Sequence, residues 1–195
     1  MISTNFKTYL SLNLMIDERE ISSIIEKCPV KKIKKGQYLL REKEICKHGF
    51  FVEKGLLRQF SVDKKGKEHI ISFAPENWIV SDRESAYFNK PSVYFIQALE
   101  DSQVTMIDES FIQLLCKKIP EFTDFNTRLL HNHIRHLQKR INLLLSASAE
   151  DRYLQFVDTY PDILLRVPQT MVASYLGITP ESLSRVRREL VKNKS

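Results

Sequence analysis

Glycine is scarce in this chain. There are five in 195 residues, and none lies between Gly66 and Gly177. A phosphate cradle of the Gly-rich kind needs glycines close together, so no such loop is present. Cysteine is equally sparse. Cys28, Cys46 and Cys116 are odd in number, far apart, and form no CxxC pair, which indicates neither a zinc knuckle nor a disulfide framework. Buried free thiols are the expectation, with a redox sensor as the alternative. No apolar run approaches the roughly 18 residues that span a bilayer. Asn5, Lys7 and Asn13 interrupt the apolar residues at the N-terminus, unlike a secretory leader. A cytoplasmic protein with no membrane partner is expected. His48 and His69 stand alone, and no nucleophile elbow or grouped metal-ligand set occurs. An enzyme is therefore not expected, nor a metal or other cofactor.

What is present points to a polyanion. The net charge is +6 and the isoelectric point about 9.2, which suits nucleic acid without requiring it. The segment 169–188, QTMVASYLGITPESLSRVRR, reads as a helix-turn-helix. Ala173 is small where two helices must approach. Gly177, four residues on, supplies the positive φ that ends the first helix. Val172, Leu176, Ile178, Leu183 and Val186 form a shared apolar seam. Thr179 suits the cap of the second helix, and Pro180 its first turn. Glu181, Ser182, Ser184, Arg185 and Arg188 are left facing outward, and these residue types reach base edges and phosphates. A plain αα-hairpin would share the seam. It would not explain why residues 179–195 hold five Lys or Arg against two acids, whereas 121–178 hold six of each.

The rest of the chain divides by texture. Residues 17–26 read as a helix with capping-box spacing at Asp17 and Glu20. Short β-like runs follow at 37–41, 49–53, 56–62, 69–73, 94–99 and 104–108, separated by turn residues. Such a series suggests an antiparallel jelly roll. A short helix ends near Pro120. A longer one then carries Leu130, Ile134, Leu137, Ile141 and Leu144 at spacings of 4, 3, 4, 3, a heptad seam. That stripe fits a two-fold partner, making this a dimerisation helix; packing on its own roll is the alternative. Ser148 and Asp151 suit the cap of a helix that Pro161 stops, with Tyr153, Phe156 and Val157 on its apolar face. Residues 163–167 read as extended. The expected class is α+β: an effector roll over 1–120, the long helix over 121–147, and the helix-turn-helix over 148–195.

This order, with Val172 to Arg185 and the Phe50–Gly55 and Gly66–Glu68 hairpin motifs, resembles the Crp/Fnr family of bacterial transcription regulators. The resemblance implies a double-stranded β-helix of the cyclic-nucleotide-binding type, a homodimer, double-stranded DNA as partner and RNA polymerase as a further candidate partner. The family's reading helix carries a Glu and, four residues later, an Arg, matched by Glu181 and Arg185. Residues four apart share one face, so both can enter the major groove. A carboxylate accepts from cytosine N4 and an Arg fork grips guanine O6 and N7; the alternative is a surface ion pair worth little. Ser182 and Ser184 are candidates for base or phosphate contacts, and Gln169, Thr170 and Arg188 for phosphate clamps.

The departures are as informative. Where the family often begins this helix with Arg, Pro180 stands. Cyclic-nucleotide binders carry a Gly-Glu motif and an Arg-Ser or Arg-Thr about ten residues later. Here the aligned residues are Val80-Ser81-Asp82 and Ser92-Val93, so cyclic AMP is not the expected effector. An unknown small molecule, or none, takes its place. Iron-sulfur relatives group cysteines near the N-terminus, which this chain does not. His131, His133 and His136 crowd the long helix; a solvated face, a metal site and a pH-sensitive seam are the readings. The seven residues after Arg188 leave no room for the family's β-hairpin wing, whose phosphate contacts Lys192 and Lys194 would partly replace. The competing function is a small-molecule-sensing roll that docks a protein partner, with purely structural C-terminal helices.

Overall fold

The structure, a computed structural model, describes residues 4–192. Lys194 lies outside the described residues. Contacts sort the chain into two units, 4–67 with Ile71–Leu129, and Glu68–Ile70 with 130–192.

The first unit is built on two four-stranded antiparallel sheets. The strands are β1 (Val30–Ile33), β2 (Tyr38–Leu40), β3 (Gly49–Lys54), β4 (Leu57–Val62), β5 (Glu68–Ala74), whose first three residues count with the second unit, β6 (Ile79–Val80), β7 (Phe95–Ala98) and β8 (Ser102–Ile107). One sheet runs β1-β8-β3-β6 and the other β2-β7-β4-β5, the jelly roll expected from the short alternating runs. Period-two alternation decides which side chains face which core. Phe50 and Val52 point between the sheets, into a cluster with Ile33, Leu57, Ile96 and Val104. Phe51 points the other way, into a second cluster with the helices α1 (Phe6–Leu14), α2 (Glu18–Ile25), α4 (Glu109–Lys118) and the start of α5 (Pro120–Ser146). There the Phe51 ring lies 5.0 Å from Phe6 and 4.8 Å from Tyr9.

A buried carboxylate ties α1 to this sheet. Glu53 follows the outward parity of Phe51 and is 7% exposed. It accepts hydrogen bonds from the Phe6 amide (3.2 Å), the Thr105 hydroxyl (2.7 Å) and the Gln103 amide (2.6 Å). A buried charge persists only with such donors around it. The β3–β4 turn depends on Gly55, at φ +96°, where an added Cβ would lie 2.9 Å from Ser102 Cα.

Several local readings are corrected. Residues 163–167 are not extended: α7 (Ile163–Arg166) is a short helix, closed by the Val167 amide on the Ile163 carbonyl. Ile163 and Val167, both buried, sit one helical turn apart, whereas a continuous apolar run does not distinguish strand from helix. Asp17 caps α2 through the Arg19 amide at 2.8 Å and not through Glu20, whose amide bonds the Asp17 carbonyl. α1, β1, β6 and α3 (Arg83–Phe88) were not read from the sequence. Cys28 and Cys46 are buried as expected, but Cys116 is only half-buried. Burial pushes the Cys28 thiol up to about 12, with the charge of Asp108 adding to it, and burial also raises Cys46. Protonated thiols are poor nucleophiles, which disfavours a redox role for these two.

Replacing Glu53 by Ala strips the acceptor from three donors at once. We expect Glu53→Ala to lower the unfolding free energy by about 2–4 kcal/mol in urea titrations. A change within experimental error would show that the carboxylate does not hold α1 in place.

Candidate nucleic-acid interface

The second unit carries α6 (Ala149–Thr159), α7, α8 (Gln169–Leu176) and α9 (Pro180–Lys192), together with the later part of α5. Ser148 and Asp151 cap α6 reciprocally, each side chain accepting from the other's amide. Tyr153 and Phe156 are buried on its apolar face, while Val157 is only half-buried. Phe156, Tyr160 and Tyr175 form an aromatic cluster with ring separations of 5.3 to 5.7 Å.

The turn between α8 and α9 follows from Gly177, at φ +67°. The Ile178 amide reaches back to the Ala173 carbonyl (3.0 Å) and the Gly177 amide to Ser174 (3.2 Å), the pairing that commonly closes a helix on a left-handed residue. The Leu176 carbonyl, left over by that closure, accepts from Arg152 Nη1 at 2.8 Å. The Arg charge also suits the negative end of α8. At the start of α9, Thr179 Oγ1 accepts from the Ser182 amide at 3.2 Å, and Pro180 takes the first helical position. Val172, Ala173, Leu176, Leu183 and Val186 are buried in the seam and Ile178 is half-buried.

The candidate reading residues fall on the other side. Glu181, Ser184, Arg185 and Arg188 are exposed at helical spacing, and Ser182 is half-buried beside its cap. Gln169 and Thr170 are exposed in the first turn of α8, and Thr179 is exposed at the cap. Hydrogen bonds from its own amide and from the Thr179 hydroxyl hold the Glu181 carboxyl below its usual range. Glu181 thus turns back on the cap, and among the described residues Arg185 has no hydrogen-bond or ion-pair partner. The ion-pair alternative for these two finds no support in this geometry. Arg188 rests on the Ser184 carbonyl at 3.3 Å.

On α5, Ile134, Leu137, Ile141 and Leu144 are 49%, 38%, 56% and 40% exposed, and Leu130 is half-buried. The stripe runs over four turns, roughly 20 Å of helix. His131 and His133 are exposed; His136 is half-buried, and burial, then Arg140 and Lys139, lower its pKa. Among the described residues no three His, Cys, Asp or Glu side chains converge on a metal-sized site.

The segment aligned with the cyclic-nucleotide cradle is filled from within. Asp82 is 4% exposed and Ser92 2%. One Asp82 oxygen accepts from the Ser85 amide (3.1 Å) and the other from the Ser92 hydroxyl (2.7 Å). The buried guanidinium of Arg58 grips Gln97 Oε1 at 2.7 and 2.9 Å and lies 4.0 Å from the Phe60 ring centre. A cyclic phosphate would meet a carboxylate where it needs a cation, so these residues do not fit it. Calorimetry with cyclic AMP and cyclic GMP should show no binding in the micromolar range; saturable micromolar heat would refute this.

Sequence reasoning missed Arg152, Arg140 and Tyr175, whose contacts hold the helices that present the candidate face.

Comparison with known proteins agrees with the architecture. Residues 30–118 match the cyclic nucleotide-binding domain family. The anaerobic regulatory protein of Pasteurella multocida is 27% identical over 197 residues, covering 94% of this chain and 71% of that protein. The fumarate and nitrate reduction regulatory protein of Escherichia coli K12 is 27% identical over 178 residues, covering 86% of this chain and 70% of that protein. The solved structure of FixK2 from Bradyrhizobium japonicum superposes with a TM-score of 0.73 at 17% identity, covering 86% of each chain. Residues 30–118 thus carry a cyclic nucleotide-binding domain, and the order of roll, long helix and helix-turn-helix is similar to that of the Crp/Fnr transcription regulators.

Proposed function

We propose that this protein is a sequence-specific regulator that binds double-stranded DNA as a homodimer, with α9 in the major groove. One observation carries the reading: Arg185 is exposed and unpartnered among the described residues, one turn from Glu181, on a helix whose base is fixed by the Gly177 turn. Among the described residues of the second unit, no hydrogen bond or ion pair uses that guanidinium. In a groove it can grip guanine O6 and N7 while Glu181 accepts from a cytosine amino group, so a half-site containing G·C follows. Ser184 shares the face and serves as a third base contact. Gln169, Thr170, Thr179, Ser182 and Arg188 border it and serve as phosphate contacts that fix register.

Family members bind DNA and act as dimers. The exposed stripe on α5 supports the same assembly here. Ile134 and Ile141 alternate with Leu130, Leu137 and Leu144, the β-branched and Leu alternation that favours two parallel strands. A two-fold pair of reading helices would address half-sites about 34 Å apart. The roll would bias this dimer through an effector other than a cyclic nucleotide, or stand without one, and contacts with RNA polymerase would carry the output.

Selection from a random duplex pool tests the proposal. The wild type should enrich a two-fold symmetric site. Arg185→Ala should lose about 1–3 kcal/mol of binding and its discrimination at one base pair, whereas Arg188→Ala should weaken all sequences alike and flatten the salt dependence. Equal affinity and preference in Arg185→Ala and wild type would overturn it and favour the protein-docking alternative.

A further inference from the structure

The seam of α5 and the turn of the helix-turn-helix share a side chain. A Cβ placed on Gly177 would lie 3.3 Å from Leu144 Cδ2 and 3.5 Å from Arg152 Nη1. Leu144 therefore packs against the backbone of the turn that aims α9, and at 40% exposure it also contributes to the open apolar stripe. One turn earlier on the same helix, the Arg140 guanidinium sits over the Tyr175 ring, 3.6 Å from its centre, and Nη2 donates to the Tyr175 carbonyl at 3.1 Å. Tyr175 and Gly177 belong to the last turn and the cap of α8. Residues four apart on α5 thus hold two points two residues apart on α8. Arg152, from α6, closes the third side by gripping the Leu176 carbonyl.

We infer that α5 is the mount of the helix-turn-helix, with Leu144 and Arg140 as positioning residues that set the distance between the two reading helices. The inference rests on the proposed DNA-reading dimer. A guanidinium held over an aromatic face and bonded to the same residue's carbonyl is fixed at two points, which a single ammonium contact would not provide. A leucine wedged beside a glycine turn leaves the turn no room to approach. When two copies pair along the stripe, the exposed side of Leu144 is covered by the partner copy while its other side stays on Gly177. The geometry of the seam is then passed to α8 through one layer of atoms, and from α8 to α9 through the turn. Leu137 has the same heptad position as Leu144, two turns earlier, and supplies the control: it belongs to the seam but not to this junction.

The readout is tolerance of half-site spacing, which a merely structural residue would not change. Duplexes with the selected half-sites would be lengthened or shortened by one and two base pairs. Affinity would be measured at concentrations where sedimentation shows each variant to be dimeric. Leu144→Ala and Arg140→Ala should accept altered spacings and lose roughly tenfold of their preference for the natural one. Leu137→Ala should shift only the concentration dependence. Gly177→Ala acts from the other side of the contact and leaves the seam intact, so it keeps the test valid where Leu144→Ala fails to fold or to pair; it should likewise change the spacing preference. If the variants keep the wild-type spacing preference as dimers, the mount is refuted. If the wild type itself selects no symmetric site, it is the DNA-reading proposal that fails.

Discussion

The side chains of α9 proposed for DNA contact depend on one backbone position, Gly177. A reading helix is useful only if its first turn leaves the preceding helix in a fixed direction, and here that direction is set by a φ of +67°. A residue with a side chain would be strained there and would press on Leu144. The surrounding polar groups are consumed in holding the turn. Two amides close on Ala173 and Ser174, the Leu176 carbonyl takes Arg152, and Thr179 caps the next helix. A helix end leaves several backbone groups without internal partners, and a rigid turn must satisfy them locally. With that done, the exposed Arg185 can be held out to solvent without weakening the fold, and it is free to choose its partner.

The roll shows how a fold outlasts the chemistry it can host. Its strands are fixed by alternation: Phe50, Val52, Ile96, Ala98 and Val104 face inward between the sheets, and none of them belongs to an anion cradle. The segment at 80–93 carries a chemistry unlike that of a cyclic-phosphate cradle, and these core residues take no part in it. Asp82 takes the Ser85 amide and the Ser92 hydroxyl, internal donors for a carboxylate that would otherwise be costly to bury. Fold-level likeness to a cyclic-nucleotide-binding domain therefore says little about ligand, and the site must be argued from its own residues.

What was legible in the sequence follows the same line. The helix-turn-helix was readable because Ala173, Gly177, Thr179 and Pro180 each answer a local requirement. The longer strands were readable because each alternates by itself. β6 was not, since Ile79 and Val80 become a strand only by pairing with Phe51 and Phe50. β1 was not, since three of its four residues are exposed and two of those are lysines; its register is supplied by β8. Residues 163–167 carry an apolar run that fits either period, and tertiary burial of Ile163 and Val167 chose the helix. Among the candidate site residues, the outward set could be named from spacing alone. Arg140 and Arg152 could not, because what they grip is a ring and a carbonyl on another helix.

The charge of α5 adds a constraint on how copies can recognise each other. From residue 125 to residue 149 the chain has no acidic residue, while Arg128, Arg135, Lys139 and Arg140 lie among the three histidines. In a parallel pair the positions flanking the seam would be His131, His133, Gln138, Arg140 and Leu145, a set without opposite charges. Ionic pairing at such flanks is the usual means of fixing partner and orientation, and it is not available to this helix. Arg140 is in any case committed to Tyr175. In the proposed dimer, recognition between copies would then rest on the shape of the Ile and Leu layers, and the alignment of the two helix-turn-helix units on the junction inferred at Leu144. Packing would carry the burden where charge offers no lock, which gives Leu144, placed in the stripe and against the Gly177 turn, its weight in the proposed assembly.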